Sequence, residues 1–254
     1  MWVPVDNLPD TSVVSFWDVV KLGGNQLQGV VLTGWAFAGW NPNATDTTPI
    51  NVAVLGQQPD GTLKVVTDQY LPSPVTNGAG SVNIADFNGD GQDDIFLAAH
   101  NESPMLSKAS TAYISKADST FSKITLQDSV IAHHANLAYI NGKPTILAAT
   151  FSNNMLKPIY TYNGQGGFDI NNSAGSAAAN SVAAADFLGD GGTQIVYGDL
   201  LWGLGIPWSS NNVMQQFIYN FVNEILIEPP ISLPAPYFNN KPQYDKYISN
   251  GDPV

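Results

Sequence analysis

Residues 81–101 read SVNIADFNGDGQDDIFLAAHN and residues 181–201 read SVAAADFLGDGGTQIVYGDLL; they share SV, ADF and GDG at the same offsets, 100 residues apart. An interval that long should hold two repeat units, so a degenerate copy is expected midway. NLAYINGKPTILAATFSN (136–153) supplies it: an alternating strand, a glycine turn and a second strand ending LAAT. A fainter copy, DVVKLGGNQLQGVVLTGW, occupies residues 18–35. Downstream of each copy comes a second landmark: QQPDGTLKVV (57–66), SKADSTFSKI (115–124), YNGQGGFDI (162–170) and NNKPQYDKYI (239–248). In the first three, a polar turn leads into a strand opened by Leu63, Phe121 or Phe168. The fourth, with Tyr244, is the weakest. Turn residues between alternating apolar runs signal hairpins.

Each unit thus reads as four antiparallel strands in about 40–50 residues, the pattern of a β-propeller blade. The expectation is an all-β chain, a propeller or a segment of one. Its blades fall at about 16–72, 81–130, 134–174 and 181–249. The first unit carries an insertion around WNPNATDTTP (40–49) and the fourth a larger one over 202–234. Within the latter, Met214, Phe217, Ile218, Phe221, Val222 and Ile225 fall at helical spacing, with a cap at 209–211 and Pro229 as a stop, which predicts one helix. The final SNGDPV resembles another inter-blade linker. Three arrangements stay open: four units closing alone, pairing with a second copy, or belonging to a longer parent chain.

Composition narrows the function classes. The chain has 254 residues, 44% of them hydrophobic, enough for a core. Acids outnumber bases 21 to 9, a net charge of −12 that repels nucleic acid and anionic membranes and suits a cation. No apolar run approaches the length of a membrane span, so no membrane insertion is expected. There are no cysteines, which removes disulfides and thiolate chemistry and leaves oxygen as the natural metal ligand. MWVPVDNLPD lacks the charged and apolar regions of a signal peptide, so an export signal is expected outside this chain.

The acidic loop of the second unit carries the chemistry. In a tight loop the residues at offsets 1, 3 and 5 can face one centre, offset 7 can add a carbonyl, and offset 9 can close the shell. These are Asp86, Asn88, Asp90, the backbone of Gln92, and Asp94. Gly91 sits where the chain must turn sharply. Three carboxylates, an amide and a carbonyl make an oxygen cage suited to Ca²⁺. An EF-hand is excluded, because its twelfth position is Leu97 here and the flanks alternate as strands. The fourth unit keeps Asp186 and Asp190 but has Leu188 and Gln194 at offsets 3 and 9, a poorer shell. For both loops the plain alternative is a solvated Asp/Gly turn whose side chains cap backbone amides.

ADFNGDGQDDIFLA followed by the hairpin KADSTF resembles the FG-GAP/VCBS repeat of bacterial surface proteins and the cation-binding blades of integrin α-chains. The resemblance spans about residues 16–200. It implies a calcium ion on Asp86, Asn88, Asp90, Gln92 and Asp94, a secreted or cell-surface setting, and an extracellular protein or glycan as partner. A bound ion would neutralise clustered carboxylates and pin a hairpin, a structural role, since no acid or base accompanies it for Lewis-acid chemistry.

Other sites are sparse. His100 reads as a polar strand end, and the His133–His134 pair as an inter-blade loop. No GxSxG, HExxH or phosphate-loop pattern occurs. Trp40, Trp202 and Trp208 lie in or beside the insertions and could stack on a sugar; Trp35 lies near them. The leading reading is a non-catalytic, calcium-stabilised extracellular binding module. A carbohydrate-active enzyme or lectin-like propeller, and a structural spacer of a larger secreted protein, are the alternatives.

Overall fold

The computed structural model describes residues 13–23, 27–36, 49–76, 78–100, 109–128, 132–150, 156–174, 179–199, 216–222 and 225–233. They form an all-β architecture of four open, four-stranded antiparallel sheets. Sheet one comprises β1 (Val13–Leu22), β2 (Leu27–Ala36), β4 (Ala53–Gln57) and β5 (Leu63–Val65). A short β3 (Ile50–Asn51) pairs β6 (Val75–Thr76) beside it, and a single turn, α1 (Thr67–Tyr70), follows β5. Sheet two holds β7 (Ala79–Ala85), β8 (Asp94–Ala99), β9 (Thr111–Ser115) and β10 (Phe121–Thr125). Sheet three holds β11 (Ala132–Ile140), β12 (Lys143–Thr150), β13 (Leu156–Tyr162) and β14 (Phe168–Ala174). Sheet four holds β15 (Ala179–Ala185), β16 (Thr193–Asp199), β17 (Gln216–Val222) and β18 (Ile225–Leu233).

The repeat is visible in register as well as in letters. β7, β11 and β15 each carry a register shift near their start, at Ala79/Ser81, Ala132/His134 and Ala179/Ser181. One extra residue at the same place in three strands marks units two, three and four as copies of one pattern. Unit three keeps the copy without acids: Asn141 (φ 52°) and Gly142 (φ 75°) make the two-residue turn between β11 and β12. Both angles are left-handed, the geometry that a right-twisting hairpin prefers.

The sheets stack so that first strands neighbour one another: β1 beside β7, β7 beside β11, β11 beside β15. Strand alternation then feeds two interfaces at once. In β8, Ile95 and Leu97 pack toward sheet one with Val20, Val31 and Val54, whereas Phe96 and Ala98 pack toward sheet three with Ile146 and Tyr160. β12 repeats this, sending Ile146 and Ala148 one way and Leu147 and Ala149 the other, toward Val182, Ile195 and Tyr197. Strands buried on both faces explain the near-continuous apolar runs DIFLAA and TILAAT.

The predicted helix is corrected. Residues 216–222 and 225–233 are strands that complete sheet four, with β17 running against β16 from Thr193↔Phe221 to Gly198↔Gln216. QFIYNFV is rich in aromatic and β-branched residues, which suit a pleated surface better than a helix. Pro229 and Pro230 do not stop a helix. The register jumps from Ile218↔Ile231 to Asn220↔Ile227, so residues 228–230 oppose Tyr219 in a bulge, where a missing N–H is tolerated. The fourth unit's outer hairpin is therefore 216–233; its proposed cap, Met214 and the 239–248 landmark lie outside the described residues. So does the body of the first insertion. Among the described residues no helix is long and apolar enough to cross a membrane.

Candidate metal centre

The acidic loop joins β7 to β8, and its carboxylates organise its own backbone. Asp86 accepts from Gly89 N (2.7 Å), Asp90 N (3.0 Å) and Gly91 N (2.8 Å). Those bonds fold the chain back over Gly89 (φ 77°) and Gly91 (φ 84°), angles that only glycine adopts cheaply. Asp90 accepts from Gln92 N (2.8 Å) and from the Asn88 amide (3.0 Å), while Asn88 Oδ1 accepts from Asp90 N (2.9 Å). Asp93 lies at the loop's exit and accepts from Lys21 N of β1 at 2.7 Å, tying sheet one to the loop.

Asp94 differs from the others because it is fully buried. Its carboxylate accepts from Phe87 N (2.8 Å) and Asn88 N (3.2 Å) of the loop and from Ser115 N (2.7 Å) at the end of β9. The Ser115 hydroxyl in turn reaches Asp90 at 3.3 Å. Burial pushes the Asp94 carboxyl up to about 6, and the N–H bonds offset only part of that cost. The five residues named from the sequence thus lie together in one loop. Their carboxylates face the loop's amides, and among the described residues no three acids or histidines converge on a point that could hold an ion.

The loop of sheet four, between β15 and β16, shows the same scaffold with different chemistry. Asp186 accepts from Asp190 N (3.0 Å) and Gly191 N (2.9 Å), matching two of the three bonds of Asp86. Gln194, nearly fully buried, takes the place of Asp94: its oxygen accepts from Leu188 N at 3.1 Å, and its amide donates to Asp190 at 3.1 Å. The Gly192 N–H, with that amide, holds the Asp190 carboxyl below the usual carboxylate range. A neutral amide therefore bridges the loop where sheet two has a second carboxylate. Residues 86–94 carry four acids and no base, against two acids in 186–194. This excess negative charge is what distinguishes the first loop from the second.

The other sequence candidates fall elsewhere. Trp40, Trp202 and Trp208 lie outside the described residues. Trp35 is buried and stacks on His100, ring centroids 3.9 Å apart and planes 16° apart. No spacing rule could pair these two across 65 positions, and neither is offered to solvent. His133 and His134 belong to β11, at its bulge, and not to a linker. A polar cluster that sequence reasoning missed joins sheets two and three: Ser110 Oγ (2.6 Å) and Tyr160 OH (2.7 Å) both donate to Asp128, and Ala99 N donates to Ser110 Oγ (3.1 Å). A serine just before β9, an aspartate just after β10 and a buried tyrosine within β13 carry no local signature. Their bonds satisfy one another, a cross-sheet lock rather than a reactive site.

Burial pushes the His100 imidazole down to about 4, below the ordinary value of about 6.5. A depressed folded value gives stability that is complete above about pH 6.5 and is lost as pH falls toward 4. His134 is shifted the same way, while Asp94, shifted up, opposes it by favouring the fold below pH 6. Between pH 6.5 and 4 the loss from His100 should be on the order of 2 kcal/mol. Denaturant melts across that range should give a flatter pH profile for His100→Phe, which keeps a ring on Trp35. Equal slopes in the two proteins would contradict the assignment.

No family model and no curated protein matches the chain. Among solved structures it is similar to Bacillus licheniformis rhamnogalacturonan lyase PL11, at 14% identity and a TM-score of 0.47, over 87% of this chain and 49% of that one. The chain thus spans about half the length of that structure. A likeness this distant assigns no activity.

Proposed function

We propose that the four sheets are blades of a β-propeller or propeller segment, and that the chain is a non-catalytic, calcium-stabilised extracellular binding module. The observation that carries this reading is the contrast between the two loops. On one shared scaffold, sheet four closes with the neutral Gln194 and sheet two gathers Asp86, Asp90, Asp93 and Asp94. Calcium would be held by Asp86, Asn88, Asp90 and the Gln92 carbonyl. Asp94 would complete the set from beneath while keeping its N–H bonds, since each carboxylate oxygen accepts in two directions. The ion would supply charge neutralisation and fix the β7–β8 connection. Asp186 and Asp190 would stay metal-free. FG-GAP/VCBS-like blades with such a loop suit a secreted or cell-surface protein whose partner is a protein or glycan.

The test is an array of glycans and matrix proteins probed in calcium, with the bound glycans analysed afterwards for cleavage. Retention of one ligand class without new reducing ends or unsaturated products is expected. Product formation would replace this reading with a carbohydrate-active enzyme, and no retention at all with a structural spacer.

A further inference from the structure

The loop at 86–94 does more than join β7 to β8, because a contact leaves it toward each neighbouring sheet. On its exit arm, Asp93 accepts from Lys21 N of β1 at 2.7 Å, a bond to sheet one that spans 72 positions of chain. On its entry arm, the buried Phe87 ring meets Phe168 of sheet three edge-on, with centroids 5.5 Å apart and planes at 72°.

The two contacts are linked through the base of the loop. Asp94, next to Asp93, accepts from Phe87 N at 2.8 Å and Asn88 N at 3.2 Å, so one carboxylate clamps the entry arm to the exit arm. Above that clamp, Asp86 gathers the N–H groups of Gly89, Asp90 and Gly91 and closes the tip. A loop that opens must part residue 87 from residue 93. The ring and the carboxylate then cannot both keep their partners, since close packing holds one and hydrogen-bond range the other.

The copies show that these outward contacts are not part of the shared scaffold. In sheet four Asp186 closes a similar tip, yet Thr193 stands at the place of Asp93. Phe187, at the place of Phe87, is 47% exposed. In sheet three a two-residue turn, Asn141 and Gly142, leaves no loop to reach outward.

We propose that the 86–94 loop is a coupling joint: its closure sets the docking of sheet one and of sheet three on sheet two together, so that a change at its tip is transmitted to β1 and to β14. The warrant is an unbroken chain of contacts from tip to clamp to both neighbours. The coupling needs no cation, so it stands or falls separately from the calcium reading.

Two readouts on the full chain without calcium test it: hydrogen exchange of the Lys21 amide, and the resonance of a fluorinated phenylalanine at position 168. Exchange is read relative to the other amides of β1 and β2, so that global unfolding cancels. Asp93→Ala should speed Lys21 exchange about fivefold or more, whereas Asp93→Asn should stay near the wild-type rate, because an amide oxygen still accepts. Asp86→Ala alters neither outward contact directly, yet it should speed Lys21 exchange and move the Phe168 resonance. Gly89→Ala should do the same without removing a charge, since Gly89 sits at φ 77°. Asp186→Ala, which loosens the matching tip in sheet four, should do neither. Wild-type Lys21 exchange in both Asp86→Ala and Gly89→Ala would overturn the proposal, and so would a response in one arm alone. Equal effects from Asp186→Ala would also overturn it, because they would show a general loss of stability rather than a joint.

Discussion

Replacing Asp94 with alanine should destabilise the chain by about 3 kcal/mol, while Asp94→Gln should cost about 1 kcal/mol or less. Asp94 is the fully buried acceptor for three backbone N–H groups, those of Phe87, Asn88 and Ser115. Alanine leaves all three without a protein partner, and a lost partner for a buried donor costs about 1–3 kcal/mol. Part of that is returned, because removing a buried carboxylate also removes the penalty that pushes it up to about 6. Glutamine should be tolerated because Gln194 already performs the task in sheet four, accepting from Leu188 N. In a chain of this size the alanine variant should melt about 6–12 °C lower. Equal melting of Asp94→Ala and wild type would mean that water reaches these amides and that the loop does not depend on its buried acceptor.

The second large effect belongs to Phe96. Its ring is fully buried between sheets two and three, with centroids 5.0 Å from Tyr160, 5.3 Å from Phe168 and 6.3 Å from Phe87. Truncation to alanine removes the transfer energy and leaves a hole walled by three other aromatic rings and the backbone of two sheets. Phe→Ala in such a site costs about 3–5 kcal/mol, and the rigidity of stacked sheets on both sides puts the expectation at the upper end. Trp17→Ala, an equally drastic loss of ring, should change the stability of the isolated chain by about 0.5 kcal/mol or less, because that ring faces solvent. Denaturant melts of the pair check both values. Comparable losses from Phe96→Ala and Trp17→Ala would refute the alternation of faces described for β8.

The residues that made the fold legible were those whose signal is local. DIFLAA and TILAAT are strands whose two faces are both apolar, and the turns that bound them, GDG and NG, demand left-handed backbone, so strand, turn and strand could be read off directly. The copy at 136–153 was legible for the same reason, and its bulge at Ala132/His134 ties it to its acidic relatives. The misread segment shows where this fails. In QFIYNFV, pairs of adjacent apolar residues satisfy a helical spacing as well as a strand, so no polar–apolar alternation decides between them. Pairing with the open edge of β16 decides it instead, and that edge lies about 20 residues earlier in the chain.

The same division holds at the site. That Asp86, Asn88, Asp90, Gln92 and Asp94 share one loop followed from their offsets. The direction in which Asp94 points did not, because it depends on Ser115, which arrives from β9 and covers it. Trp35 was read as lying near the ligand-facing insertions; its stacking on His100 comes from the packing of sheet one on sheet two, which no spacing within either strand encodes.

The proposed structural calcium site belongs to the loop of sheet two and not to that of sheet four. Thermal melts with calcium titrated into the wild type, Asp90→Ala and Asp190→Ala test it most directly. The melting temperature should rise with calcium in the wild type and in Asp190→Ala, and stay flat in Asp90→Ala, with the increment growing logarithmically once the ion exceeds its dissociation constant. A wild type whose melting is indifferent to calcium would show that residues 86–94 are an Asp/Gly turn held by its own amides, and would contradict the account.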